Sequence, residues 1–355
     1  MADIDCDGEM FNFHRDKVTL QKAQQDDMRG RRDNGRTRLE NGLNEAKKAQ
    51  PREVRSQGSY QMRTMVQDAE NDYDIDDGAY FNSEDFQDDS GNSLTPLAAR
   101  QRVCDALKWD GRFKQEATVK NNCVRQAYAA GYHIDVPVYR ILTTKGADGE
   151  SEDTFELASG DDWVESDARA VTRWFNGKVG ELIAGESDGS QMRRVTKLTK
   201  KFSRRPAWKS KTTSGITITK LVVDSFVSQG DRDDKALRET WKVILAKLDV
   251  STEVAHPVSS SKLSQAGDDQ VGFFRDCLRD ALSTLEALDE QDCNRKNARE
   301  AWDKVFDTTF FGEQPDSNGG GDGVDGGGGG GNKGSAMKVT SVETARRNDG
   351  GGRFG

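Results

Sequence analysis

The chain has 355 residues, 34% of them hydrophobic and 32% charged, with a formal net charge of −9. That length holds more than one core at roughly 100–200 residues per domain, and the acidic balance argues against a general nucleic-acid coat. No apolar run reaches the ~18 residues of a membrane span, and five scattered cysteines without a CxxC pair give neither a disulfide scaffold nor a zinc site. The opening MADIDCDGEM lacks the basic and apolar regions of a signal peptide, so a cytoplasmic location is expected.

In chain order, the first 50 residues read as polar helix with breaks, Leu39, Leu43 and Ala46 recurring at helical spacing before Gln50-Pro51. Arg52 to Gln57 is an extended candidate, and Ser59 is placed to cap a short helix through Val66. Tyr73 to Phe81 is strand-like, and Leu94 to Trp109 carries Val103, Ala106 and Leu107 at helical spacing. A cluster of strands is expected from Lys114 to Leu142. In its last member Tyr132, Ile134, Val136 and Val138 share one face and Asp135 takes the other. Pro137 marks an edge strand or a strand end, and residues 144–153 read as a polar loop. From Ser166 the pattern turns helical to about Phe311, with segments at Ser166 or Asp167 onward, Gly189–Ser203, Ser214–Ser228, Asp231–Leu248, Asp268–Leu288 and Arg295–Thr308. Beyond Phe311 a Gly-rich stretch has too little apolar content to repay the entropy of ordering it.

Charge is unevenly spread. From Thr64 to Ala99 there is no Lys or Arg, and from Met192 to Lys211 there is no Asp or Glu. Taken alone, either run reads as a solvated face. Within the acidic run, Asp74 and Asp76 stand two residues apart on a strand and so project from one face. Asp135 on a neighbouring strand is placed to close a site beside them. Three clustered carboxylates repel unless cations neutralise them, and hard oxygen ligands suit Mg²⁺ carrying phosphate oxygens. Two such ions serve attack by a hydroxyl and departure of pyrophosphate. Gly58-Ser59, at the start of a helical turn, allows close backbone approach to a phosphate. Trp174, Phe175, Tyr60 and Tyr80 fit core packing at least as well as base stacking, Asp77 reads as part of a turn into Gly78, and His133 is placed to orient Asp135.

The segments QGSYQMRTMV, YDIDDGAYF, HIDVPVYRI and GDDWVESDARAVTRWFN occur in an order that resembles the cGAS/DncV-like nucleotidyltransferases, nearest the bacterial cyclic GMP-AMP synthases among them. The resemblance runs from about Arg55 to Phe310. It implies a mixed α/β, polymerase-β-like nucleotidyltransferase core with N-terminal helices over 1–165, a helical lobe completing the nucleotide cleft over 166–312, and a flexible Gly-rich tail over 313–355. It also implies Asp74, Asp76 and Asp135 as the ligands of two Mg²⁺ ions and Gly58 and Ser59 as the triphosphate turn. Lys200, with Lys197 nearby, becomes a phosphate contact, and Ser214 or Thr217 a nucleotide-contacting hydroxyl. The implied activity is synthesis of a cyclic oligonucleotide second messenger, such as cyclic GMP-AMP, from ATP and GTP in anti-phage signalling, with an effector reached through the product and no requirement for DNA or membrane. The terminal Gly355 fits conjugation by an E1/E2-like enzyme equally with a plain disordered tail. The alternatives are a nucleotidyltransferase acting on RNA, protein or a small molecule, and a catalytically silent nucleotide binder.

Overall fold

The computed structural model describes residues 4–68, 74–88, 90–108, 116–145, 150–185, 189–208 and 210–315. The tail from residue 316, with Gly355, lies outside the described residues. In chain order the elements are α1 (Asp7–Phe13), a π-helical turn (His14–Val18), α2 (Lys22–Glu45), β1 (Glu53–Gln57), α3 (Gly58–Gln61), β2 (Asp74–Asn82) and α4 (Pro96–Lys108). They continue with β3 (Thr118–Val119), β4 (Val124–Ala127), β5 (His133–Val136), β6 (Val138–Lys145), β7 (Ser151–Ser159), β8 (Asp162–Glu165) and α5 (Ala168–Ala184). The remainder is α6 (Gly189–Ser203), α7 (Gly215–Ser225), α8 (Asp233–Val250), β9 (Val254–Ala255), β10 (Lys262–Ser264), α9 (Asp269–Leu285) and α10 (Arg295–Phe306).

Eight strands form one mixed sheet. β1 runs antiparallel to β2, and β5 and β6 both run parallel to β2. The register between β2 and its parallel partner is the same on either side of Pro137, and the Pro137 carbonyl accepts from the Ala79 N–H at 2.9 Å. β5 and β6 are therefore one strand line with a break where proline lacks its donor. The break falls where the antiparallel neighbour changes from β4 to β7. Pro137 thus marks a strand end, in the interior of the sheet and not at its edge.

Two hydrophobic cores flank the site. Under the sheet, Ile75, Ile134, Val136 and Val138 pack on Leu39 and Leu43 of α2 and Val103 and Leu107 of α4. A Cβ on Gly42 would lie 2.0 Å from the Ala106 carbonyl oxygen, so this α2–α4 crossing needs glycine. The second core gathers Val195, Leu198 and Phe202 of α6 with Trp241, Phe274, Trp302 and Phe306. Met10 and Phe13 of α1 belong to this second core, so the chain's start packs with its later half. A buried clamp fixes it there: Arg295 Nε and Nη2 and Arg299 Nε all donate to the Glu9 carboxylate at 2.8 Å. Removing one partner of a buried pair strands the other's charge, so Glu9→Ala is expected to cost about 3–5 kcal/mol. Chemical denaturation of the two proteins checks this.

Several sequence expectations change. Ser59 does not cap a helix through Val66: Gly58 opens α3, Gln57 is its N-cap, and the helix ends at Gln61. Of the expected 144–153 loop, residues 144–145 and 151–153 are strand, since β6 runs to Lys145 and β7 begins at Ser151, and 146–149 lie outside the described residues. Its polar side chains pair across the hairpin, as Thr143 Oγ1 does with Asp153 at 2.6 Å. The later half is not wholly helical, because β9 and β10 form a small hairpin. Asp167, not Ser166, caps α5, accepting from the Arg169 and Ala170 amides. Asp77 does not turn the chain. It is buried, and it binds Arg36 of α2 and Ser56 of β1 at 2.5–2.8 Å.

Candidate active site

Strand register builds the acidic site. Asp76 and Asp135 are directly opposed across β2 and β5, and Asp74 and His133 form the next pair. Arg125 of β4 faces Asp135 from the other side, and Gln57 of β1 faces Asp76. Opposed residues share a face, and i, i+2 residues share it too. One face of the sheet therefore carries an Asp–Asp pair and an Asp–His pair in adjacent rows, with Ile75 and Ile134 turned into the core beneath.

Within this face, ligand atoms of Asp74, His133 and Asp135 lie within 4.8 Å of one another. Asp135 is buried and held by Arg125, whose Nε and Nη2 donate to its two oxygens at 2.8 and 2.7 Å. His133 Nε2 stands 3.7 Å from Asp135 Oδ2. Burial first, and then the neighbouring Asp135, raises the Asp74 carboxyl above the usual carboxylate range. Burial, Asp74 and Asp135 push Asp76 up still further. This concentration of oxygen donors, whose charge the protein itself leaves poorly compensated, fits divalent hard cations. The sequence reading named the three carboxylates but missed His133 as a candidate ligand and Arg125 as the restraint on Asp135.

Gly58 sits against this cluster. Its φ is +63°, and a Cβ there would lie 2.2 Å from Asp76 Oδ2. The Asp76 carboxylate occupies space that only glycine leaves open. Gly58→Ala would displace that carboxylate, and misplacement by about 1 Å can cost ~100-fold in rate. A fall of that size in turnover, with an unchanged circular dichroism spectrum, is the expected result. Ser59 is half-buried, and its hydroxyl has no hydrogen-bond partner among the described residues.

The basic stretch is not a solvated face. Twelve of the fifteen residues of α6 are buried, because α5, α7, α8, α10 and the chain's start surround it. Its polar groups are satisfied internally: Thr196 and Thr199 donate to carbonyls one turn back, and Arg194 pairs with buried Asp233 at 2.5 Å. Lys200 is buried, and its Nζ lies 3.0 Å from Thr64 Oγ1. Burial, with help from Arg204 and Lys197, pushes its pKa down to about 7, against the pull of Asp74. Lys197 points elsewhere, its Nζ 3.4 Å from Thr19 Oγ1.

A cleft of about 530 Å³ joins these parts: Asp74, Arg125, His133, Lys200, Arg204 and Ser214 all line it. Ser214 caps α7 and lies at the surface of the cleft, whereas Thr217 is buried behind it, 2.8 Å from the Ser214 hydroxyl. The structure thus places Ser214 on the cleft and Thr217 in support of it. Tyr80 is core: it stacks on Tyr139 at 4.4 Å, and both hydroxyls bind the Gln57 amide. Phe175 is buried, Trp174 packs against the same helical core, and Tyr60 lies under the Arg32 guanidinium.

Residues 52–139 match the family model described as the nucleotidyltransferase domain of cyclic GMP-AMP synthase DncV-like proteins. The fold is similar to that of Escherichia coli DncV with 3′-deoxy GTP bound, at 22% identity and a TM-score of 0.64 over 82% of this chain and 92% of that one. It is also similar to Vibrio cholerae DncV cyclic AMP-GMP synthase in complex with the linear intermediate pppA(3′,5′)pG (19% identity, TM-score 0.66, 85% and 96% covered). E. coli MS115-1 CdnC with ATP matches at 15% identity and a TM-score of 0.63 over 86% and 99%. No helix among the described residues is long and apolar enough to cross a membrane. A DncV-like nucleotidyltransferase domain is thus matched over residues 52–139, on the strands that carry the carboxylates, within a fold shared with those synthases.

Proposed function

We propose that the chain joins two nucleoside triphosphates, ATP and GTP, into a cyclic dinucleotide and releases pyrophosphate. The observation that carries this reading is the row Arg125–Asp135–Asp76 on one sheet face, with Asp74 and His133 in the next row, of which Arg125, Asp74 and His133 line a cleft together with Lys200. Asp74 and Asp135 would hold Mg²⁺ with His133 in reach of both, and Asp76, opposite Asp135 across the sheet, would complete the carboxylate set. Two Mg²⁺ ions bound there would neutralise triphosphate charge and lower the pKa of the attacking hydroxyl.

The chain's own residues do the rest. The Gly58–Ser59 backbone approaches the donor triphosphate, and the free Ser59 hydroxyl adds a donor to it. Lys200 reaches a phosphate oxygen from α6, and Ser214 contacts the nucleotide from the opposite wall. Arg125 holds Asp135 in position until the site is charged with substrate. The ribose hydroxyl of one nucleotide attacks the α-phosphorus of the other, the bond to the bridging oxygen breaks, and pyrophosphate leaves. A second such transfer within the linear product closes the ring. The expected roles downstream are an effector that binds the product during phage infection, and attachment of Gly355 by an E1/E2-like enzyme. Deleting Gly355 in cells carrying such an enzyme should abolish conjugates if that attachment occurs.

Pyrophosphate release tests the reading: purified protein, each nucleoside triphosphate singly and in pairs, with Mg²⁺ and then with EDTA. Release that needs Mg²⁺ and is greatest with ATP and GTP together supports it. Release from none, in a protein that also fails to bind ATP, overturns it.

A further inference from the structure

The Gly58–Ser59 turn lies on the seam between the two hydrophobic cores. β1, which leads into it, belongs to the sheet, whereas Met62, just beyond α3, is buried in the helical core. α3 itself has four residues and buries none of them, Tyr60 packing only in part against the sheet core. A helix that short has no stability of its own. It also begins at Gly58, at φ +63°, where the backbone is least restrained by its own sterics. The position of the turn is therefore set by what holds it from outside.

Before Gly58 the chain is pinned twice. Gln57 accepts from the Tyr80 hydroxyl at 2.8 Å and donates to the Tyr139 hydroxyl at 3.0 Å. The Ser56 hydroxyl donates to Asp77, and Arg36 of α2 donates to both. Past Gly58 there is one tie. Arg32, a turn before Arg36 on α2, has its Nη1 3.2 Å from Ser56 Oγ and 3.4 Å from the Tyr60 hydroxyl. An Nη nitrogen carries two hydrogens and serves both oxygens at once. The guanidinium carbon also lies 5.6 Å from the centre of the Tyr60 ring. Nε and Nη2 donate to Asp33 at 2.9 and 2.7 Å, which fixes the plane of the fork. Among the described residues the Arg32–Tyr60 bond is the one side-chain hydrogen bond that α3 makes.

We infer that Arg32 is a positioning residue: it staples Tyr60 to Ser56 across the turn and so holds the Gly58–Ser59 backbone where it meets the donor triphosphate. Arg32 is not among the residues that line the cleft, and it acts through Ser56 and Tyr60. The planar fork is what the task needs. One ammonium group offers a point charge on a flexible stem and cannot bridge two oxygens, lie over a ring and lean on Asp33 together. The role toward the triphosphate rests on the nucleotidyltransferase reading above, whereas the staple itself does not.

Hydrogen exchange read by mass spectrometry on the full chain without nucleotide tests the staple. Peptides covering residues 58–62 should exchange about tenfold faster in Arg32→Met, as loss of a charge-assisted bond would give, while those from β5 and α8 stay unchanged. Calorimetry with Mg²⁺ and α,β-methylene ATP, which cannot release pyrophosphate, tests the consequence, and binding should weaken about tenfold. Arg32→Lys keeps the charge and should resemble Arg32→Met in both readings. In a Tyr60→Leu background, Arg32→Met should add little to either, because the two residues act as one unit. Unchanged exchange at the turn, faster exchange spread over the whole sheet, or an Arg32→Lys protein that behaves as the parent overturns the assignment and leaves the nucleotidyltransferase reading standing. A parent that fails to bind the analogue removes that reading and the role toward the triphosphate, and the exchange result then reports the staple alone.

Discussion

Asp76→Asn should abolish turnover and leave the protein folded, with a loss of about 10³-fold or more, since charge stabilisation at such a centre is worth several kcal/mol. The same substitution should make the metal-free protein more stable at neutral pH. Asp76 is half-buried beside Asp74 and Asp135, and desolvation and those two carboxylates hold its folded pKa well above the ordinary value. A carboxyl raised in this way favours the fold while protonated and loses that advantage as pH climbs through the folded pKa. The parent should therefore be weakened at pH 7.5, where folding either keeps Asp76 charged beside two carboxylates or takes up a proton, while asparagine escapes both costs. Melting curves from pH 4 to 8 without metal should show the two proteins converging toward acid and diverging above it. Added Mg²⁺ should raise the parent's melting temperature and move the variant's much less.

Lys200→Met should weaken nucleotide binding, with a distinctive pH signature. The Lys200 amine is buried, and its pKa is pushed down to about 7 by burial, Arg204 and Lys197. A triphosphate stabilises the protonated form, so binding above that pH must draw a proton into the site. Affinity for ATP should then fall as pH rises from 7.5 to 9, by up to about tenfold per unit. In Lys200→Met the slope should flatten, and affinity at pH 7 should drop by roughly 10–100-fold, the range for losing a charge-assisted contact. Methionine fills much of the lysine's volume, so α6 should keep its packing. A steep slope that survives in Lys200→Met would assign the titration to another group.

The acidic face was legible because strand chemistry is local. The i, i+2 spacing of Asp74 and Asp76 and the alternation around Asp135 fixed which side chains share a face, and the register then brought them together. His133 follows from the same alternation once Asp135 is placed, but its participation depends on Asp74 being its direct partner across β2, and pairing partners are not written in either strand. Arg125 was invisible for that reason too: nothing in VRQA says it lies opposite Asp135. The basic run of α6 misled in the other direction. Its Lys and Arg residues have the composition of a solvated helix, yet Lys200 and Arg194 are buried by elements distant in sequence. The β6–β7 hairpin was read as a loop because its exposed strands are polar on both sides near the turn, and only cross-strand pairing gives them order. The packing of α1 with the helical core is likewise non-local, set by Glu9 and arginines nearly 290 residues away.

The central claim is that these carboxylates catalyse ring formation from two nucleotides. Mass spectrometry tests it most directly, on reactions of the full chain with all four nucleoside triphosphates and Mg²⁺ after treatment with phosphatase. A phosphatase-resistant product with the mass of a cyclic dinucleotide of adenosine and guanosine, absent from Asp76→Asn, is the expected result. The same product from Asp76→Asn, or nucleotide transferred only onto RNA or protein, would contradict it.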